Sequence, residues 1–213
     1  MRTYVLTDVS REHWLESFAI DSSSFESHQA TASSWSVSKR TLSGGRRDRV
    51  DLVEIDNGAL RMAIVPTRGM GLWNGSYRGL RLGWDSPVKD GPVNPSYVNL
   101  GAAGGLGWLD GFDELLARCG LENNGAPYEV KARNPDGSES NTTYPLHGKI
   151  ANIPASFVAV HVAEEMPYEI TVEGHVDEVR LFGLQVRMVT KISTVPGSNR
   201  LVVRDEFVNL KDQ

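Results

Sequence analysis

Seven short runs rich in Val, Ile, Leu and Thr, at residues 51–55, 60–65, 71–77, 156–162, 169–176, 181–193 and 200–209, constrain this chain more than any other feature. Several alternate apolar and polar residues with a period of two, which lays one face of an extended strand on a core and turns the other to water. Asp56-Asn57-Gly58 separates the first two runs, and Val195-Pro196-Gly197-Ser198 precedes the last. Asn and Gly accept positive φ at little cost, so both segments read as tight turns. Short strands joined by turns, with few helices, specify an all-β fold, an antiparallel β-sandwich.

Helix is expected in two short stretches. Asp8 or Ser10 is placed to cap one running through Trp14 and Phe18, whose spacing of four puts both rings on one side. Residues 109–118 carry Phe112, Leu115 and Leu116 as a weak apolar stripe. Residues 86–107, rich in Pro, Gly and Asn, and the polar run 134–143, with Pro135-Asp136-Gly137, read as long loops. Long loops on a sandwich are where function concentrates. Residues 22–38 are serine-rich, and no internal repeat is present.

The chain reads as a single domain over residues 1–213, with residues 1–45 forming an N-terminal extension and the first strands. Its net charge of −5, with both signs interspersed, supplies no footprint for nucleic acid or an anionic membrane. Arg46, Arg47 and Arg49 are broken by Asp48 and follow Gly44-Gly45, which suits a turn. Asp8, Arg11, Glu12 and Glu16 interrupt the first thirty residues, so no signal-peptide core is read there, and no window approaches the roughly eighteen apolar residues of a membrane span. Cys119 is the single cysteine, which excludes an intrachain disulfide and places the protein in the cytoplasm. It reads as a small packed side chain rather than a nucleophile.

The residues able to carry chemistry cluster in the middle of the chain. His147 stands in Tyr-Pro-Leu-His-Gly at 144–148, about thirty residues after the run GWLDGFDELLARCGLENNGAP at 107–127. Histidine is the side chain whose ordinary pKa lies closest to neutrality, so it can give and take a proton at cellular pH. Asp110, Arg118, Asn123 and Asn124 offer the donors and acceptors a polyhydroxylated ligand needs, and Trp108 offers a ring for the C–H face of a sugar. Arg68, in Pro-Thr-Arg-Gly-Met at 66–70, either points into a pocket mouth or buttresses a loop carboxylate. Arg118 either holds a ligand or pairs with Asp113 or Glu114. Glu173, His175 and Asp177 alternate on one strand face; a solvated outer face explains them better than a metal site. Gly101 to Gly105 lack the Lys-Ser or Lys-Thr of a phosphate loop.

Val-Pro-Thr-Arg-Gly-Met, the 107–127 run, Leu-His-Gly and Arg-Asp-Glu-Phe-Val-Asn at 204–209 together resemble the aldose 1-epimerase (galactose mutarotase-like) superfamily, in its domain-of-unknown-function branch. The resemblance runs from about residue 50 to the end. It implies a supersandwich fold and cofactor-free, metal-free interconversion of sugar anomers by acid/base ring opening. It also implies a small sugar or sugar derivative as partner, His147 as the acid lining the pocket, and Arg118 and Arg68 among the ligand-holding groups. Members of the superfamily continue past the strand that ends at Asn209, and their later segment carries a second histidine and the base carboxylate. Neither has a matching position here, so the C-terminal part of the fold is expected to be absent. A homo-oligomer covering exposed sheet edges would follow from that. Two other readings stand beside the enzyme: a noncatalytic carbohydrate-binding module using the same polar groups, and a sandwich fragment that needs a partner chain.

Overall fold

The computed structural model describes residues 1–25 and 33–211. His28 and the middle of the serine-rich stretch lie outside the described residues. The strands run β1 (Arg2–Asp8), β2 (His13–Trp14), β3 (Phe18–Asp21), β4 (Ser36–Thr41), β5 (Asp51–Asp56), β6 (Leu60–Val65), β7 (Gly71–Tyr77) and β8 (Leu80–Leu82). They continue with β9 (Tyr128–Arg133), β10 (Glu139–Tyr144), β11 (Phe157–Val162), β12 (Ile170–Val179), β13 (Gln185–Thr194) and β14 (Val202–Asn209). Two six-stranded sheets, ordered β14-β13-β12-β11-β1-β2 and β3-β4-β5-β6-β7-β8, are antiparallel throughout, and β9 and β10 form a separate ribbon. The expected sandwich is the observed architecture.

Alternation decides which side chains face inward. Ile170, Val172 and Val176 of β12 are buried, and so are Met188 and Ile192 of β13. They meet Val37, Val53, Ile55, Met62 and Ile64 of the other sheet in one core. Each such side chain contributes roughly 1.5–3 kcal/mol by leaving water. Gly174 is an inward position where a Cβ would overlap Met70, so the missing side chain admits the methionine from the facing layer. The two turns read from the sequence touch each other. Buried Asn57 donates through Nδ2 to Thr194 Oγ1 (2.7 Å), Val195 O (3.1 Å) and Ser198 O (3.0 Å), and Gly197 N–H returns a bond to Asn57 O (2.7 Å). The β5–β6 and β13–β14 connections thereby pin the two sheets at one end.

Both expected helices are replaced by extended chain. Asp8 does accept from the Ser10 amide (3.1 Å), but it caps only a single 3-10 turn, Val9–Arg11, which stops where Glu12 turns left-handed at φ 52°. Leu15 N–H then bonds Leu6 O, and Trp14 reaches Asp51 while its ring covers the buried Lys39 ammonium. Long-range pairing outcompetes the local i,i+4 spacing. Residues 109–118 likewise keep only a 3-10 turn, Gly107–Gly111. The backbone donors that a helix would use go instead to β7: Leu115 N–H to Trp73 O and Leu116 N–H to Leu72 O. The second half of the run 134–143 is strand β10 rather than loop, and the first half, with Pro135-Asp136-Gly137, is the tip of the β9–β10 hairpin. The first strands expected within residues 1–45 are β1 to β4, and β8, β9 and β10 add to those read from the sequence. No described helix is long and apolar enough to cross a membrane.

Candidate functional site

Residues 116–125 leave the β7 edge, cross to the opposite sheet and turn back, and this crossing segment gathers the candidate residues. Leu116 bridges Leu72 at one end. Leu121 N–H then donates to Glu178 Oε2 (2.7 Å), anchoring the segment on β12. Gly120 accepts the amides of Lys149 (2.9 Å) and Ile150 (3.1 Å) and donates to His147 O (2.8 Å). His147 N–H donates to Gly125 O (2.9 Å), and Asn123 Nδ2 to Pro145 O (2.7 Å). Two chain regions separated by about twenty residues are thus laced into one unit. Gly148 is where they come closest. At φ 78° it is left-handed, and a Cβ there would overlap the carbonyl oxygens of Gly120 and Asn123. The close approach this glycine permits is between two backbones.

His147 itself holds φ 56°, a left-handed conformation uncommon for a non-glycine residue and often found where a side chain must be aimed. Its ring stands edge-on to Trp108 at 5.1 Å, and its Nδ1 lies 3.4 Å from Asn124 Oδ1. Trp108 is buried and stacks on Phe112 at 4.7 Å, which in turn meets Trp84 at 5.0 Å. Trp84, Phe112 and Trp108 thus form one continuous aromatic group ending at the histidine.

Arg118 reaches across the segment onto β13 and β14. Its Nη1 donates to Asp205 Oδ2 (2.8 Å) and its Nη2 to Thr190 Oγ1 (3.3 Å), while Thr190 donates to Asp205 Oδ1 (2.7 Å). Burial lowers the Arg118 pKa, and the neighbouring Asp205 charge opposes that shift. Its carboxylate partner is therefore neither Asp113 nor Glu114. Asp113 accepts from Trp73 Nε1 (2.9 Å), and burial raises its pKa. Glu114 is paired with Arg68. Arg68 is 1% exposed and also donates to Val93 O and Asn152 Oδ1, both at 3.0 Å, tying three loops together beneath the site. Asp110 is exposed on the 3-10 turn, and its carbonyl accepts from Arg46 (3.1 Å). Cys119 is an exposed free thiol whose pKa burial nonetheless raises, the opposite of an activated nucleophile.

Several buried polar atoms of this group have no hydrogen-bond partner: Arg118 Nε, Asn123 Oδ1, Glu178 Oε1 and Trp108 Nε1. A buried, unpaired polar atom costs roughly 1–3 kcal/mol, so four in one group are an uncommon concentration. Glu178, Thr190 and Asp205 were missed by the sequence reading, although a signal was present. Glu178 and Thr190 share strand parity with the inward Val176 and Ile192, where an apolar residue is the rule. Asp205 lay in plain view within a motif read only for its resemblance.

The opposite face of the same sheet carries a second polar group. Glu173 Oε1 pairs with His175 (2.9 Å), and Glu173 Oε2 stands 3.3 Å from Lys191 and 3.4 Å from His161. Asp177 is gripped by Arg187 at 2.7 and 2.9 Å and by Ser156 at 3.2 Å. His161 also meets Thr3 Oγ1 at 3.0 Å.

Residues 47–213 match the family described as "Domain of unknown function (DUF4432)". The structure resembles the solved structure of a "putative aldose 1-epimerase" from Klebsiella pneumoniae subsp. pneumoniae, with a TM-score of 0.86 and 35% sequence identity. That match covers 99% of this chain and 52% of the other, so this chain spans about half the length of the Klebsiella protein. No curated protein matches.

Proposed function

The chain belongs to the DUF4432 family, and from that premise we propose that it forms the sugar-binding part of an enzyme of the aldose 1-epimerase kind. The observation that carries this reading is the meeting of His147, Arg118 and Asn123 on one laced unit that leaves buried polar atoms unpaired. Sugar hydroxyls both donate and accept, and they complement a guanidinium, a primary amide and an imidazole gathered on one unit. The likeness to the Klebsiella protein supports the same class of ligand.

In the proposed chemistry His147 hands a proton to the ring oxygen of an aldose as the anomeric hydroxyl loses its own. The open-chain aldehyde rotates, and the steps reverse to give the other anomer. Arg118 and Asn123 hold the remaining hydroxyls, Trp108 backs the histidine, and Asp110 lines the exposed rim. Arg68 works from beneath by fixing the loops around Glu114 and Asn152. The anomeric proton passes to a carboxylate base of the kind that superfamily members carry in their later segment. No cofactor enters the scheme, and the lone thiol suits a reducing, cytoplasmic setting.

Calorimetric titration with a panel of aldoses, followed by polarimetry of freshly dissolved anomer, tests the reading. His147→Ala is expected to lower the affinity of the folded chain about tenfold. Equal affinity in the variant and the unaltered chain would refute the site. Binding without faster mutarotation would identify a noncatalytic sugar-binding module, which uses the same contacts and needs no base.

A further inference from the structure

Four carboxylates lie at or beside the laced unit, and they are held in different ways. Glu122, within the crossing segment, is 16% exposed and carries a cation on each oxygen, Lys149 and Arg180, both at 3.0 Å. Glu114 is buried and committed to Arg68 and to the Asp113 amide (3.0 Å). Glu178 is buried, with one oxygen on the Leu121 amide. Asp205 is the most open of the four: a quarter of its side chain is exposed. Each of its oxygens has one donor, Thr190 on Oδ1 at 2.7 Å and Arg118 on Oδ2 at 2.8 Å. A carboxylate has about four lone-pair positions, so roughly one acceptor position per oxygen remains while two donors fix the plane of the group.

We infer that Asp205 is a ligand-binding residue of this site, accepting hydrogen bonds from two neighbouring sugar hydroxyls and selecting their configuration. The assignment rests on the sugar-site reading and deepens it. Register supports it first. Asp205 and Thr190 are directly opposed across β13 and β14, so both face the side of the sheet that the crossing segment covers. Donor placement supports it second. Arg118 Nη1 and Nη2 each carry two N–H groups and use one apiece, on Asp205 and Thr190, which leaves donors on the guanidinium that already grips Asp205. A hydroxyl that donates to a carboxylate and accepts from a guanidinium uses both capacities, and each bond is charge-assisted. Glu173 on the other face provides the contrast, because His175, Lys191 and His161 surround both of its oxygens.

The experiment compares the unaltered chain with Asp205→Asn against the preferred aldose and its monodeoxy analogues, by calorimetry. Asparagine preserves the shape and one acceptor. The unaltered chain is expected to bind one or two monodeoxy analogues at least tenfold more weakly than the parent sugar. Asp205→Asn is expected to bind the parent about tenfold more weakly and to lose that discrimination. If Asp205→Asn does not fold, Thr190→Val serves instead. It leaves the carboxylate on Arg118 with one fixing donor removed, and the discrimination should fall about threefold. Weaker binding with the discrimination intact would show a merely structural ion pair and overturn the assignment. So would unchanged affinity in a folded variant. No aldose binding by the unaltered chain would overturn the sugar-site reading itself, and this assignment with it.

Discussion

The sheet that ends in β14 carries polar groups on both faces, and the two groups differ in how completely they are paired. On the outer face, Glu173 and Asp177 are ringed by His161, His175, Lys191, Arg187 and Ser156. On the inner face, Arg118, Asn123 and Glu178 each keep a buried atom with no partner beside the Thr190–Asp205 pair. The outer constellation catches the eye in the sequence, with alternating acid and histidine, yet its charges answer one another. The inner one is spread over nearly ninety residues of sequence, from Arg118 to Asp205, and its hydrogen bonding is unfinished. Among the described residues the outer group leaves one buried atom, His161 Nε2, without a hydrogen bond, against three on the inner face, and the proposed sugar site rests on that difference rather than on the density of titratable residues.

The largest effect should come from closing the gap that the inner face depends on. Gly148→Ala forces a Cβ into the Gly120 and Asn123 carbonyls at a left-handed position, and should destabilise the fold by about 3 kcal/mol or more. Chemical denaturation checks this, and a loss under about 1 kcal/mol would mean that the two backbones are not locked as described. Next is Arg118→Ala, which strands Asp205 and Thr190. The pair is 8% and 25% exposed, so a loss of about 2 kcal/mol is expected, together with at least a tenfold loss of sugar affinity in calorimetry. A stability change without an affinity change would move Arg118 to a purely structural role.

The outer face should behave otherwise. Glu173→Gln is expected to cost about 1 kcal/mol in denaturant melts and to leave sugar affinity unchanged, since its partners are partly solvated. Its titration gives a further signature. Burial lowers the His161 pKa from its ordinary 6.5. Glu173 is partly buried, which raises its pKa, but His175, Lys191 and His161 outweigh that and hold it low; Asp177 is held low chiefly by Arg187. All three groups bind fewer protons in the folded state than in the unfolded one. Their stabilisation is therefore complete above about pH 6.5, declines first through His161, and declines further below the usual carboxylate range. Denaturation midpoints measured from pH 7 to pH 3 should fall monotonically. His161→Gln should flatten the upper part of that curve by a few tenths of a kcal/mol, the smallest of these effects.

Much of the scaffold was legible because strand signals are local. The alternation in β12 and the Asn57-Gly58 turn needed no knowledge of distant residues. The errors arose where distant partners decided the outcome. Trp14 and Phe18 have helical spacing, but Leu15 was claimed by Leu6, and the amides of Leu115 and Leu116 were claimed by β7. The site was half visible for the same reason. His147, Arg118 and Asn123 stand close in sequence and in recognisable words. Glu178, Thr190 and Asp205 join them only because β12, β13 and β14 pair in one particular register. A polar residue with the strand parity of its apolar neighbours is the sequence clue that points to such a floor.

Assigned two-dimensional NMR spectra of the unaltered chain, recorded during titration with the tightest-binding aldose, test the inner-face claim most directly. The account predicts saturable shifts at the Arg118 Nε–H, the Leu121 and Gly125 amides and the His147 ring, with the rings of His161 and His175 unmoved. Shifts centred on His161, His175 and Lys191, or none on either face, would contradict it.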